Sequence, residues 1–383
     1  MAAVFAEPAL APQGLMALHV GKFYPPFRGG METHLQSLCE NLRPRIDVQV
    51  IVANRERQST EEWMNGIRVV RKGTLINLAA AQICPGMMTE IRRTKADLVH
   101  LHLPNPTAIL AYLASGHQGR LVVSYHSDIV RQKVLGSIFQ PILRRALDRC
   151  AAIIAATPNH IASSPVLANY VDRCHVIPYG IPIEPFDHRD QGVIARIRER
   201  YGPRMILSVG RLVYYKGFEF LIRAMMKVKA NLVIIGEGPL RAQLEQEARN
   251  GGVADRVFFL GDLSNEEMIP FYQAADLFAL ASIARSEAFG IVQLEAMACG
   301  IPVVNTNLDS GVPFVSLDRV TGLTVPPSDS DALAAALQSL LDRPEQRREY
   351  GLAAARRVRE EFTLEIMVRR TLQLYAQVMA RRR

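Results

Sequence analysis

The chain has 383 residues, of which 49% are hydrophobic and 21% charged, and its net charge is +8. This length exceeds what one hydrophobic core usually supports, so two domains are expected, and the ordinary composition excludes a low-complexity or disordered protein. Five cysteines, none in a C-x-x-C pair, argue against a disulfide framework and favour reduced thiols in a cytoplasmic protein.

Short apolar runs alternate with helical patterns along the chain, which is typical of parallel sheets covered by helices on both faces. Strands are predicted at 15–20, 48–52, 98–101, 121–124, 152–156, 205–209, 232–235, 257–260, 277–280, 303–306 and 323–325. Helices are predicted at 31–42, 138–149, 217–228, 240–250 and 331–341. Two such series predict two Rossmann-like, doubly wound α/β domains, and ligands of such sheets bind beyond the carboxyl ends of the strands.

Prolines and glycines cluster between residues 177 and 189 and predict a linker there. We therefore expect an N-terminal domain at 1–180 and a C-terminal domain at 181–365, with a terminal helix, about 366–383, that returns to the first domain. The default site is the cleft between the two domains. The first 14 residues lack a basic leader and are expected to be an extension, and no apolar run is long enough to span a membrane.

Glu287 and Glu295 lie eight positions apart, in the most informative stretch of the chain. Gly300 and Pro302 stop a helix, so a helix of about ten residues is expected to begin near residue 289 or 290. The N-terminus of such a helix favours an anion, and flanking carboxylates accept hydrogen bonds from hydroxyls. The stretch predicts a ligand that is both phosphorylated and polyhydroxylated, such as a sugar nucleotide.

Two further loops carry residues suited to phosphate. Gly29 and Gly30 form a strand-to-helix turn, which lets a phosphate approach the backbone, although a tight turn without a ligand is the alternative. Arg211 and Lys216 follow the predicted strand 205–209 and could neutralise a diphosphate, the alternative being a solvated loop with two surface charges.

Histidines and aspartates supply the remaining candidates. His126 lies at a strand end between Ser124 and Asp128, where a functional and a structural role are equally compatible with the sequence. His100 and His102 share one strand face but have no evident third ligand, so no metal site is predicted. Asp329 and Asp331 form a D-x-D pattern, but its context predicts the N-cap of a helix.

Taken in order, these motifs resemble the retaining glycosyltransferases of family GT4, which have the GT-B fold. The resemblance rests on the two glutamates, on the Gly210-Arg211…Lys216-Gly217 loop, on the glycine turn and on Val176-Ile-Pro-Tyr-Gly-Ile181, and it spans the chain from about residue 15. The segments 103–106 and 126–132 look most like bacterial polysaccharide mannosyltransferases. One departure is Ala288, where many relatives carry glycine.

The resemblance implies an N-terminal acceptor-binding domain and a C-terminal nucleotide-sugar-binding domain. Glu287, Phe289 and Gly290 would contact the donor sugar, the backbone amides of Ile291 and Val292 would bind the diphosphate, and Glu295 would bind the ribose. Arg211 and Lys216 would stabilise the leaving diphosphate. Gly29 and Gly30 would contact it from the other domain, and His126 would touch the sugar and the phosphate.

The expected reaction is same-face displacement without a protein nucleophile, a metal ion or another cofactor. The expected donor is GDP-mannose and the acceptor a lipid-linked glycan; a UDP-hexose donor with a soluble acceptor and a catalytically silent binding protein are the alternatives. The first 185 residues carry a balance of +6, and Arg144, Arg145 and Arg149 adjoin apolar residues in the predicted helix 138–149. An anionic membrane surface, reached peripherally from the cytoplasmic side, is therefore an expected partner, a solvated helix face being the alternative, and nucleic acid is not expected.

Overall fold

The computed structural model describes residues 14–27, 29–78, 81–128 and 133–381. The predicted N-terminal extension and the last two residues lie outside these ranges. The chain forms two compact units, one made of Met1–Tyr179 and Leu364–Arg383 and the other of Gly180–Thr363.

The described ranges contain sixteen strands and fifteen α-helices. The strands are β1 Met16–Val20, β2 Asp47–Ala53, β3 Thr60–Met64, β4 Ile67–Lys72, β5 Ile76–Leu78, β6 Ala81–Ile83, β7 Leu98–Leu103, β8 Arg120–Tyr125, β9 Ala152–Ala155, β10 Cys174–Val176, β11 Met205–Val209, β12 Asn231–Ile235, β13 Val257–Phe259, β14 Leu277–Leu280, β15 Val303–Thr306 and β16 Gly322–Val325. The helices are α1 Gly30–Leu42, α2 Pro85–Arg93, α3 Pro106–Ser115, α4 Lys133–Arg149, α5 Pro158–Ser163, α6 Glu184–Asp187, α7 Gln191–Tyr201, α8 Phe218–Met225, α9 Arg241–Asn250, α10 Asn265–Ala274, α11 Val292–Ala298, α12 Val312–Val315, α13 Ser330–Asp342, α14 Pro344–Glu361 and α15 Leu364–Ala380.

The sheet of the first unit has the order β10-β9-β8-β7-β1-β2-β4-β3. Its strands are parallel except for β3, which pairs antiparallel with β4 at the edge. From β1 the chain first builds one side of the sheet and then crosses to β7 on the other side. The strand order therefore reverses between β1 and β7, and this switch point is where ligands of doubly wound sheets bind.

The second unit has a six-stranded parallel sheet in the order β13-β12-β11-β14-β15-β16. The chain enters at β11, builds outward to β13 and then returns to β14 on the other side of β11. Its switch point lies between β11 and β14, whose residues 206 and 207 pair with 277 and 278.

Helix α15 contributes apolar side chains to the core of the first unit, although it is the last helix of the chain. Leu372, Tyr375 and Val378 are buried in the same cluster as β1, β2 and the inner face of α1. The burial of this amphipathic face explains the period of apolar residues in the tail.

Several elements differ from the predictions. The helix expected to begin near residue 289 begins at Val292 and has seven residues, because Gly290 has a φ of 73° and cannot be part of an α-helix. Strand β3 was missed because it contains no apolar run and four of its five residues are exposed, as an edge strand permits. No helix in the described ranges is long and apolar enough to cross a membrane.

Candidate active site

At the switch point of the second unit, Lys216 and Glu287 form a buried ion pair. The Lys216 Nζ lies 2.6 Å from Glu287 Oε2, and only about a tenth of each side chain is exposed. Ser282 Oγ donates to the same carboxylate oxygen at 2.9 Å. The sequence placed these two residues in separate motifs, and the fold brings them together where β11 and β14 end.

The loop that carries Lys216 is held tightly against the end of β14. Ile283 N donates to Tyr215 O at 2.8 Å. Gly217 has a φ of 64°, and a Cβ there would collide with the carbonyl of Ala281, so this position requires glycine. The geometry fixes the lysine chain rather than leaving it as a solvated surface charge.

The loop that carries Glu287 rests on a buried amide network. Gln293 Nε2 donates to Phe289 O at 3.1 Å, and Asn305 Nδ2 donates to Gln293 Oε1 at 2.9 Å. Thr324 Oγ1 completes the network by donating to Asn305 Oδ1 at 2.7 Å. Sequence reasoning missed Gln293 and Asn305, because two amides in apolar runs give no signal of being joined.

Arg211 differs from Lys216 in being exposed. Within the described part of the chain, no carboxylate or carbonyl accepts from its guanidinium. It therefore has its full set of donors available for an anion at the end of β11.

Glu295 lies in α11, where Tyr272 holds one of its oxygens. The Tyr272 hydroxyl donates to Glu295 Oε2 at 2.5 Å. Burial raises the pKa of Glu295, and the tyrosine hydrogen bond opposes that rise. The other oxygen has no partner among the described residues and is free to accept from a hydroxyl.

The turn before α11 presents backbone amides. The amides of Ile291 and Val292 lie at the N-terminus of α11, where no preceding turn of the helix supplies a carbonyl to accept from them. Gly290 requires its glycine, because a Cβ would come within 2.7 Å of Leu280 Cδ2. Ala288 does not have a positive φ, so the departure from glycine costs no backbone strain.

In the first unit, Gly29 and Gly30 lead into α1. Gly29 has an extended φ of 175°. A Cβ on Gly30 would meet nothing within 4 Å, so neither turn geometry nor packing requires that residue to be glycine.

His126 follows β8, but both of its ring nitrogens are already bonded. Nδ1 lies 2.6 Å from the Tyr179 hydroxyl, and Nε2 lies 3.1 Å from His102 Nδ1. The two polar residues that flank His126 in the sequence have partners of their own. Ser124 bonds His100 instead, and Asp128 accepts from Tyr125 and Ser164.

His126 ends a chain of hydrogen-bonded rings that crosses the switch point of the first unit. The links and their lengths are Ser124–His100 2.8 Å, His100–Tyr375 2.6 Å, Tyr375–His19 3.2 Å, His19–His102 3.1 Å, His102–His126 3.1 Å and His126–Tyr179 2.6 Å. Burial lowers the pKa of His19 to about 3 and those of His100, His102 and His126 well below the ordinary value. The rings are therefore neutral at physiological pH.

The expectation that His100 and His102 lack a third ligand is wrong. His19 joins them in one group of buried ring nitrogens, and His34 and His126 form a second group with His102. Positions 19, 34, 102 and 126 are too far apart in sequence for spacing to have revealed this, and only the fold brings them together.

Within residues 139–149 of α4, the side chains that the structure describes do not combine the basic and the core-forming apolar residues on one face. Arg144, Arg145 and Arg149 are exposed, whereas Leu143 is buried in the core and Ile142 packs against that core. The three arginines therefore form a solvated face. The D-x-D prediction is confirmed as a helix cap, because Asp329 accepts from the amides of residues 331 and 332 at the start of α13.

Comparisons with known proteins identify the family. The family described as Glycosyltransferase Family 4 matches residues 28–185, and Glycosyl transferases group 1 matches residues 193–357. O-antigen chain mannosyltransferase C of Escherichia coli is 32% identical over 369 residues, which cover 95% of this chain and 99% of that protein. The chain belongs to glycosyltransferase family 4.

Two further comparisons bear on this glycosyltransferase. The GDP-mannose-dependent alpha-(1-6)-phosphatidylinositol monomannoside mannosyltransferase of Mycolicibacterium smegmatis is 30% identical over 351 residues, covering 86% of this chain and 90% of that protein. The structure of sucrose-phosphate synthase from Thermosynechococcus elongatus matches with a TM-score of 0.79 at 23% identity, covering 96% of this chain and 99% of that one. The latter similarity concerns the fold alone and confirms the predicted GT-B class.

Proposed function

We propose that this glycosyltransferase moves mannose from GDP-mannose to a lipid-linked glycan in the synthesis of a cell-surface polysaccharide. The observation that carries the proposal is the Lys216–Glu287 pair at the switch point of the second unit, next to the unpaired Arg211. The names of the two relatives supply the sugar, the nucleotide and the lipid-linked class of acceptor.

The second unit binds the donor. Glu287 Oε1 has no partner in the described part of the chain and accepts from a sugar hydroxyl, while Oε2 stays with Lys216. Glu295 accepts from the ribose through the oxygen that Tyr272 leaves free. The amides before α11 bind the diphosphate.

The transfer proceeds with retention and without a metal ion. As the bond from the anomeric carbon to the diphosphate breaks, negative charge develops on the leaving group, and Arg211 and Lys216 stabilise that charge in place of a cation. A donor phosphate oxygen accepts the proton of the acceptor hydroxyl, so no protein nucleophile is needed. His126 is the predicted contact of the first unit with the sugar, a role that requires the Tyr179 hydroxyl to release Nδ1.

The acceptor binds to the first unit, and the enzyme works at the cytoplasmic face of the membrane as a peripheral protein. The expected attachment is electrostatic, since Leu143, Ala146 and Leu147 of α4 pack into the core while Arg144, Arg145 and Arg149 are exposed.

Thermal shift with GDP, UDP and ADP tests the nucleotide assignment. A ligand that binds the native state at 100 times its Kd stabilises it by about 2.7 kcal/mol, so GDP should raise the melting temperature most. Transfer from GDP-mannose, measured with and without excess EDTA, tests the metal assignment. A larger shift with UDP than with GDP would mean that the donor is a UDP-sugar. If EDTA abolished turnover and Mg²⁺ restored it, the metal-free mechanism would be wrong.

A further inference from the structure

Three histidines of the first unit have ring nitrogens close together. They are His34 on α1, His102 on β7 and His126 after β8, and their ligand atoms lie within 4.8 Å of one another. We infer that these three residues form a binding site for a zinc-type transition-metal ion at the switch point of the first unit.

The spacing suits a tetrahedral ion. His102 Nδ1 and His126 Nε2 face each other at 3.1 Å. Zinc–nitrogen bonds of about 2.0 Å place neighbouring ligand nitrogens about 3.3 Å apart in a tetrahedron, so the ion enters between these two rings with little movement. The third nitrogen, on His34, lies within 4.8 Å of the other two, so the His34 ring must move closer for all three to bind one ion.

The outer nitrogens of two ligands already have the partners that orient metal-bound histidines. His102 Nε2 bonds His19 Nδ1 at 3.1 Å, and His126 Nδ1 bonds the Tyr179 hydroxyl at 2.6 Å. Such outer hydrogen bonds fix the ring orientation and leave the inner lone pair for the ion.

Binding needs no net loss of protons from the rings. Each neutral imidazole carries one proton, and that proton can reside on the outer nitrogen of His102 and of His126. His102 then donates to His19 and His126 donates to Tyr179, so both inner lone pairs face the ion. The other rings can adopt matching tautomers, because His19 then accepts at Nδ1 and donates from Nε2 to the Tyr375 hydroxyl.

His34 is the ligand that no other role explains. Within the described residues, neither of its ring nitrogens has a hydrogen-bond partner. The ring packs against Tyr179, with centroids 4.7 Å apart, and borders a small pocket that His126 and Tyr179 also line. Water or hydroxide from this pocket provides the fourth ligand, as in sites with three histidine ligands.

The second group of nitrogens, formed by His19, His100 and His102, suits an ion less well. Both nitrogens of His100 are already bonded, to Tyr375 at 2.6 Å and to Ser124 at 2.8 Å. An ion there would have to break one of these hydrogen bonds, which are shorter than the 3.1 Å hydrogen bond between His102 and His126 that an ion replaces at the proposed site.

Three imidazoles select borderline ions such as Zn²⁺ and Co²⁺ and discriminate against Mg²⁺, which prefers oxygen ligands. The experiment therefore uses the full chain freed of metal by a chelator and titrates it with ZnCl₂, CoCl₂ or MgCl₂. Calorimetry gives the affinity, elemental analysis after gel filtration gives the stoichiometry, and visible absorption reports whether bound Co²⁺ is tetrahedral.

His34→Ala removes one ligand without breaking a hydrogen bond, and His34→Gln is a second variant that keeps most of the side-chain volume. His117→Ala is the matched control, because His117 lies in the same unit and bonds the carbonyl of Thr94 instead of the group. Circular dichroism and melting temperature establish that each variant is folded.

We expect one Zn²⁺ per wild-type chain, no comparable Mg²⁺ binding and a tetrahedral Co²⁺ spectrum. Both His34 variants should bind Zn²⁺ at least tenfold more weakly and lose that spectrum, and His117→Ala should match wild type. The inference is overturned if folded His34 variants bind as tightly as wild type, or if wild type binds no stoichiometric Zn²⁺.

Discussion

The ion pair between Lys216 and Glu287 joins stability to function at the level of single residues. Both side chains are nearly buried, so removing one partner leaves an uncompensated charge in the core of the site. Arg211 lies in the same loop but is exposed, and its removal leaves nothing unpaired. The two cations that the sequence treated alike should therefore behave differently when they are substituted.

Lys216→Met should lower the free energy of unfolding by about 3 kcal/mol, because breaking one side of a buried pair strands the other charge. Adding Glu287→Gln should recover most of the lost free energy of unfolding without restoring transfer. Urea denaturation and transfer assays on the single and double variants measure both effects. Arg211→Ala is the comparison, with unchanged stability and a rate lower by about 10²–10³. Wild-type turnover in Arg211→Ala would show that Arg211 does not stabilise the leaving diphosphate.

Glu295→Gln should make the protein more stable at neutral pH and weaken nucleotide binding. Burial raises the pKa of Glu295, so the native state keeps a proton that the unfolded chain releases. The wild type therefore loses stability as pH rises above the ordinary value of 4.5 toward the raised one, and stays at that lower level at higher pH. The neutral glutamine has no such titration and should abolish this slope. Urea denaturation across pH and calorimetry with GDP test the prediction, which is wrong if GDP binds both proteins equally.

Gly30→Ala tests whether a ligand approaches the first unit at the glycine turn. A Cβ there meets nothing in the protein, so stability should be unchanged or up to about 1 kcal/mol higher. Transfer should nevertheless fall, because the methyl group occupies the space that the phosphate needs. Melting temperature and the KM for GDP-mannose are the measurements. A stable variant with wild-type kinetics would show that the turn has no ligand.

Among secondary-structure elements, α4 shows how burial changes the interpretation of a sequence pattern. Its arginines and apolar residues looked like one interfacial face, but the apolar side chains belong to the core of the first unit. The attraction of Arg144, Arg145 and Arg149 to a membrane is therefore electrostatic and should vanish at high salt.

Liposome co-sedimentation tests that attraction. Each exposed arginine contributes about 1 kcal/mol at an anionic surface, so Arg144, Arg145 and Arg149 should together supply about 3 kcal/mol. Replacing all three with serine should release the protein from anionic vesicles at low salt. The matched control replaces Arg196, Arg198 and Arg200 on α7 of the second unit, which are also exposed. If the α4 variant and the wild type pelleted equally, the arginines of α4 would not be the site of membrane attachment.

The elements that the sequence predicted best are the buried parallel strands. β11, β14 and β15 begin and end at the predicted residues, because each is a short, fully buried segment rich in apolar residues and bounded by polar or turn residues. The start of α11 was misjudged, since a glycine in the sequence does not reveal that its φ is positive, as that of Gly290 is. The ring chain could not be predicted from the sequence, because parallel strands bring together residues as distant in sequence as His19 and His102.

At the scale of the whole molecule, the first unit is built from both ends of the chain. Its core contains Leu372, Tyr375 and Val378 from the last helix. The second unit is continuous in sequence, and it contains all the proposed donor contacts except Gly29, Gly30 and His126.

A fragment of residues 180–363 should therefore fold alone and bind GDP, whereas residues 1–179 without α15 should not form a stable core. Circular dichroism, cooperative thermal unfolding and calorimetry with GDP test the first fragment. Adding residues 364–383 through a short linker should rescue the second. Failure of the isolated 180–363 fragment to bind GDP while folded would place essential nucleotide contacts elsewhere in the chain.

The two ends of the second unit lie side by side. Ile181 forms a β-bridge with Thr363, and Ile181 N donates to Phe362 O at 2.9 Å. Because residues at the two ends of this segment are hydrogen-bonded to each other, the whole segment can be replaced by that of a relative, with both junctions close together in space. Chimaeras that take residues 180–363 from a relative would exchange donor preference while keeping the host's acceptor, which offers a direct route to recombining the two specificities of such an enzyme.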